Sequence, residues 1–145
     1  MDKTLPISDD CRPAVLVAED DPDQSDILCE FLTEAGFHVE PAHSGDAAIQ
    51  MLSQCVYDLI IMDNHMPGRS GASVLRALRQ HTSPTQLPVI VVTSFAADDD
   101  VERFRSLGAN ECMSKPYRMH ELVTLALELI RGKMEVGVSV KREIH

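Results

Sequence analysis

At 145 residues the chain has the length of one domain and not two. Thirteen Lys and Arg against 23 Asp and Glu leave a net charge of −10, which repels phosphate backbones and anionic lipid, so direct nucleic-acid binding is not expected. Hydrophobic residues at 44 % and aromatics at 4 %, with no Trp, exclude a disordered chain and call for an aliphatic core.

In chain order, short apolar runs alternate with amphipathic segments. Residues 1–11 read as a polar arm carrying three Asp, with no apolar stretch of signal-peptide type, so export is not indicated and a cytoplasmic location is expected. Ala14–Ala18 is a continuous apolar run of strand length. Ile27, Leu28, Phe31, Leu32 and Ala35 then recur at helical spacing, with Pro22 in the first turn and Gly36 at the end. Phe37–Ala42 is a weaker alternating strand that Pro41 puts at an edge. Ser44 is placed to cap a helix whose buried face is Ala47, Ala48, Met51, Leu52 and Cys55. Leu59–Met62 is the next buried strand, and Ser70 opens a helix carrying Val74, Leu75 and Leu78. After a loop with Pro84 and Pro88, Val89–Val92 is the most strand-like run, Asp98–Leu107 a short helix ending at Gly108, and Glu111–Ser114 a short strand. A final helix presents Leu122, Leu125, Ala126, Leu129 and Ile130 on one face and stops near Gly132. Residues 133–145 are then a tail or linker, with Met134, Val136, Val138 and Val140 alternating.

Strands buried on both faces and separated by helices indicate an α/β fold, a doubly wound parallel sheet of five strands. No run reaches the roughly 18 apolar residues of a membrane span, so no membrane insertion is expected. Cys11, Cys29, Cys55 and Cys112 form no CxxC pair and read as small buried apolar residues, and the six His show no zinc-like spacing.

The residues that carry chemistry stand just past the apolar runs. The first run is succeeded by Glu19, Asp20 and Asp21, the second buried strand by Asp63, the next by Thr93 and Ser94, and the last by Lys115. In an open parallel sheet the carboxyl ends of the strands share one edge, and ligands bind there. Carboxylates crowded on that rim repel one another, and a hard divalent cation, Mg2+ or Mn2+, resolves the conflict. With the cation held, Asp63 is available as a nucleophile toward phosphorus, and Lys115 and the Thr93 hydroxyl can meet phosphoryl oxygens. Asp21 beside the acidic pair is assigned to capping the first helix.

The segments VLVAEDD (15–21), DLIIMDNHMPGRSG (58–71), PVIVVTS (88–94) and KPY (115–117) together resemble the response-regulator receiver domain of two-component signalling. The resemblance covers about residues 14–131 and implies a flavodoxin-like strand order 2-1-3-4-5, with the receiver at 12–132. It further implies that Glu19 and Asp20 order the cation and that Asp63 accepts a phosphoryl group from the phosphohistidine of a sensor histidine kinase or phosphotransfer protein. The backbone carbonyl of His65 completes the metal ligands, Thr93 is the switch hydroxyl, Lys115 pairs with Asp63, and the Lys115–Pro116 bond is cis. The output would be a changed surface of helix 4, strand 5 and helix 5, together with the 93–97 loop, read by a downstream protein target or used for a homodimer. The aromatic that receivers often carry three residues before the lysine is Cys112 here, so output coupled to such a ring is not expected. His65 and Phe95, at the positions that tune dephosphorylation, offer no carboxylate or amide to position water, so a long-lived phosphorylated form is expected. Such a module is not an enzyme beyond its own phosphorylation and dephosphorylation. The alternative, an aspartyl-phosphate phosphatase of haloacid-dehalogenase type, wants a second Asp where His65 stands. A flavodoxin-like electron carrier wants Ser, Thr and Gly where Glu19–Asp21 would repel a flavin phosphate.

Overall fold

The computed structural model describes the backbone of residues 11–94 and 98–144 and the side chains of residues 11–94 and 100–133. All but the last residue of the expected N-terminal arm, Phe95 and the centre of the 93–97 loop lie outside the described residues. Ten elements alternate strictly: β1 (Ala14–Ala18), α1 (Pro22–Glu34), β2 (His38–Ala42), α2 (Gly45–Gln54), β3 (Leu59–Asp63), α3 (Gly71–Arg79), β4 (Val89–Ser94), α4 (Asp98–Ser106), β5 (Glu111–Lys115) and α5 (Met119–Ile144). The five strands pair in parallel in the order β2-β1-β3-β4-β5, as the resemblance implies. Pro41 lies in β2, an edge strand, where its missing N–H leaves the ladder intact.

Side-chain alternation along the strands divides the core into two layers. Leu16, Ala18, Ile60, Met62, Val89 and Val91 pack with Ala48 of α2, Val74, Leu75 and Leu78 of α3 and Phe104 of α4. Val15, Val17, Leu59, Ile61, Ile90 and Val92 pack on the other face with Leu28 and Leu32 of α1 and Leu122, Ala126 and Ile130 of α5. Both faces are thus covered, so the inner strands β1, β3 and β4 are apolar until their carboxyl ends, while the edge strands β2 and β5 carry polar residues. Asp21, Ser44 and Ser70 cap α1, α2 and α3 through their side-chain oxygens.

Several expectations are corrected. Ile27 and Phe31 are 50 % and 46 % exposed, because α1 turns only its Leu28–Leu32 stripe to the sheet. Cys55 is exposed at the C-cap of α2, where its extended backbone turns it out of the helix face. Cys11 is exposed too, and Cys29 and Cys112 are only half-buried at the edges of the two core layers, so none of the four is a fully buried residue. The last helix does not stop near Gly132: α5 runs through it to Ile144, so residues 133–144 are helical. Gly132 has an ordinary helical backbone with nothing near its missing side chain, and glycine there costs only about 1 kcal/mol.

Two polar anchors, buried Tyr57 and half-buried Arg79, escaped sequence inspection. The Tyr57 hydroxyl donates to Glu40 Oε1 at 2.6 Å. Arg79 at the end of α3 donates to the carbonyls of Gly108, Ser83 and Leu87, to Thr82 Oγ1 and to Asn110 Oδ1, at 2.8–3.2 Å. It binds the 82–88 loop and the α4–β5 turn together at the sheet end opposite the carboxylates. Among the described residues, no helix is long and apolar enough to cross a membrane.

Candidate functional site

Register brings the polar residues together. Ala18 pairs with Met62, so Glu19 and Asp63 leave adjacent strands at one level, and Asp63 pairs with Val92, Thr93 with Ser114 and Ser94 with Lys115. The chain crosses from one side of β1 to the other between β2 and β3, and the rim lies at that switch point.

Glu19, Asp20 and Asp63 each offer a carboxylate oxygen within 4.8 Å of the others; Glu19 and Asp63 are buried and Asp20 is exposed. Lys115 Nζ donates to Glu19 Oε1 at 2.7 Å, Gln24 Oε1 at 2.8 Å and Asp63 Oδ2 at 3.0 Å. The other oxygen of Asp63 accepts the backbone N–H of His65 at 3.0 Å, so the carboxylate is held from both sides. Glu19 Oε2 accepts the N–H of Asp21 at 3.2 Å, and Asp21 itself caps α1. Thr93 is buried, its hydroxyl 3.3 Å from the His65 ring nitrogen Nε2 and 3.3 Å from the carbonyl of Ser94.

The loop after Asp63 is shaped by close packing. Gly71 N donates to the Asn64 carbonyl at 3.0 Å, and Ala72 N donates to the Asn64 side chain at 3.1 Å. A side chain at 71 would come within 2.8 Å of the Asp63 carbonyl, so only glycine allows this approach. The Lys115–Pro116 bond is cis.

The charges are unequal in their surroundings. Burial pushes the Glu19 carboxyl above its ordinary value, outweighing the hydrogen bonds from Lys115 and Asp21, and the Asp63 charge adds to the rise. For Lys115 burial pulls downward, but its bonds to Glu19 and Asp63 and their two charges outweigh it, so its affinity for the proton is raised. Both shifts go up for different reasons: for Glu19 burial outweighs its share of one cation, while the lysine gains from two carboxylates.

Three carboxylate oxygens with no nitrogen or sulfur donor suit a hard divalent cation such as Mg2+ and not zinc. Seven residues singled out by sequence, Glu19, Asp20, Asp21, Asp63, His65, Thr93 and Lys115, converge here. Gln24 was missed, and so was the approach of the His65 ring to Thr93. The Asp21-x-x-Gln24 spacing of a capping box was the available signal for Gln24. Its oxygen is turned to Lys115, a contact no local rule contains.

Beside this rim a cleft of about 530 Å3 is lined by Gln24, Ile27, Ser94, Lys115, Pro116, Tyr117 and Met119. The exposed Ile27 lines its α1 side, and Phe31, also exposed, follows one helical turn further along α1.

Residues 15–127 match the family model for the response regulator receiver domain. The transcriptional regulatory protein CpxR of Escherichia coli K12 is 34 % identical over 117 residues, which are 81 % of this chain and 49 % of CpxR. The chain spans about half the length of the curated relatives it matches. Among solved structures, the receiver domain of the Francisella response regulator 1452 superposes with a TM-score of 0.78 at 27 % identity, covering 83 % of this chain and 98 % of that one. The receiver domain of a signal transduction histidine kinase from Syntrophus aciditrophicus gives 0.75 at 32 % identity, covering 83 % and 91 %.

Proposed function

The chain belongs to the response regulator receiver domain family, a phosphorylation-activated two-component switch, and on that footing we propose that Asp63 is its phosphoryl acceptor. The observation that carries the reading is the Lys115 ammonium bridging Glu19 and Asp63, side chains 96 and 52 residues away in sequence. The donor is the phosphohistidine of a sensor kinase or phosphotransfer protein. An Asp63 oxygen attacks phosphorus, the P–N bond to the donor imidazole breaks, and the leaving ring takes up a proton. Glu19, Asp20, Asp63 and the His65 carbonyl would hold Mg2+, which when bound neutralises charge on the rim and on the phosphoryl oxygens. Lys115 stays on the acceptor and meets an oxygen of the transferred group. The unit proposed for this role is residues 12–132. The phosphatase alternative is not supported by the family match, and at the second position after Asp63 the chain has His65.

The docking surface in this reading is the cleft beside Lys115, with Ile27 in its lining and the exposed Phe31 one turn further along α1, which suits the apolar face of a partner helix presenting the phosphohistidine. The output face is α4, β5 and α5, acting on a downstream protein or on a second copy of the chain. Cys112, half-buried against the layer that contains Phe104, stands where an aromatic switch would sit, so output runs through Thr93 without that ring.

The resting hydrogen bonds bound how far phosphate shifts the equilibrium. Counting Thr93 and Lys115 as two new charge-assisted bonds gives about 3–6 kcal/mol. Lys115 already donates to three acceptors, so its bond to phosphate is an exchange. Thr93 makes only 3.3 Å contacts and has a full bond to gain. The gain is therefore nearer one bond, about 1.5–3 kcal/mol, below the roughly 5.5 kcal/mol of a 1:99 to 99:1 shift. Phosphorylation then shifts the population partially, and a partner that binds the active form completes it.

The test is labelling by a small acyl-phosphate donor with Mg2+. The parent should gain one acid-labile phosphate and Asp63→Asn none; undiminished label on that variant refutes the assignment.

A further inference from the structure

An ammonium has three protons to donate, and Lys115 gives one each to Glu19, Gln24 and Asp63. Two of these acceptors have other tasks in the proposed reaction: Asp63 takes the phosphoryl group, and Glu19 belongs to the carboxylate cluster. Gln24 is neutral and lies outside that cluster. Its amide is oriented by its neighbours, since Nε2 donates to Asp21 Oδ2 at 3.1 Å and the oxygen therefore faces the lysine. The reverse orientation would set two donors against each other at 2.8 Å. Asp21 is itself fixed as the cap of α1, accepting from the N–H groups of Asp23 and Gln24. The chain Asp21–Gln24–Lys115 thus ties the first turn of α1 to the end of β5, 91 residues apart at its Gln24–Lys115 link.

Resting on the assignment of Asp63 and Lys115, we propose that Gln24 is a positioning residue for phosphoryl transfer: its amide keeps Lys115 on the rim when Glu19 and Asp63 are engaged elsewhere. A neutral acceptor is what the task requires. A carboxylate at 24 would add a negative charge where an anionic donor enters and would compete with phosphate for the ammonium. An aliphatic side chain would leave the third proton without a partner on this side and let the lysine follow Glu19 away from Asp63.

The experiment compares the parent with Gln24→Leu and Gln24→Glu in the full chain, at an exposed helix position whose replacement leaves the core intact. Three quantities are read: the rate of labelling by a small acyl-phosphate donor with Mg2+, the affinity for Mg2+ alone, and the NMR signal of the 15N-labelled lysine ammonium, which survives exchange only when well hydrogen-bonded. Gln24→Leu should slow labelling about tenfold, the lower end of what a hydrogen bond to a charged group contributes. It should also lose the Lys115 ammonium signal and leave Mg2+ affinity within about twofold. Gln24→Glu should keep the ammonium signal and still label slowly. The proposal is overturned by labelling of Gln24→Leu within threefold of the parent, by survival of its ammonium signal, or by a slower rate that merely tracks weaker Mg2+ binding. A parent that takes no phosphate on Asp63 overturns the reading of the site itself, and is told apart because the ammonium signal still responds to Gln24→Leu.

Discussion

Glu19 is buried on the rim beside another buried carboxylate, and replacing it by Gln isolates the cost of that charge. With an effective dielectric constant of about 20, the 2.7 Å contact to Lys115 is worth about 6 kcal/mol. A carboxylate of Asp63 within 4.8 Å returns at least about 3.5 kcal/mol of repulsion. The remaining 2.5 kcal/mol or so of attraction is opposed by the desolvation of a buried carboxylate, several kcal/mol. The raised proton affinity of Glu19 gives the sign: burial and repulsion win. Gln keeps the shape and one neutral bond to Lys115, so Glu19→Gln should be more stable by about 1–2 kcal/mol at neutral pH without divalent cations. With a urea slope near 2 kcal/mol per M, the midpoint should rise by about 0.5–1 M.

The pH dependence has the same origin. The folded protein binds the Glu19 proton more tightly than the unfolded chain, so the stability linked to this group is full below the unfolded value. It is lost as pH rises through the raised folded one. Parent and variant should therefore converge in acid and diverge above that window. Urea melts followed by far-UV circular dichroism at several pH values, in chelator, measure this. Adding Mg2+ should stabilise the parent more than the variant, since the variant lacks a cation ligand. A variant less stable than the parent at neutral pH, or a gap that does not close in acid, refutes the reasoning.

Three further outcomes are expected. Arg79→Met removes five hydrogen bonds from a guanidinium that joins two loops, and should cost about 2–4 kcal/mol in urea unfolding; a loss under about 1 kcal/mol would show that water replaces them. Gly108→Ala strains a backbone at φ +105° and sets a methyl 2.8 Å from Arg79 Cγ, so it should cost at least about 1–2 kcal/mol, with an unchanged urea midpoint as the contrary result. The double change Ile27→Ser with Phe31→Ser should leave labelling by a small phosphodonor unchanged, because neither apolar side chain supplies a charge or hydrogen bond to the rim. It should slow transfer from a cognate phosphohistidine protein at least about tenfold; equal transfer rates would remove α1 from the docking surface.

The local code of the sequence determined the elements, their order and most of the rim. Apolar runs of four to six residues, the caps Asp21, Ser44 and Ser70 and the edge Pro41 act within a few residues, and each is found where its type requires. Convergence of Glu19, Asp63, Thr93 and Lys115 was legible because a parallel sheet puts every strand's carboxyl end on one side. Local signals misled where a neighbour decides. Ile27 and Phe31 fit a helical stripe, yet only the width of the α1–sheet contact chooses which apolar residues it covers. Gly132 reads as a stop and is carried by a helix already formed on either side of it.

What tertiary structure alone decided is every contact whose partners are far apart in sequence: the three acceptors around Lys115, the His65 ring against Thr93, and the Arg79 anchor. These depend on strand register and on the distance at which a helix lies over the sheet. Neither is encoded in any stretch of a few residues, because both are set by how two whole apolar layers pack.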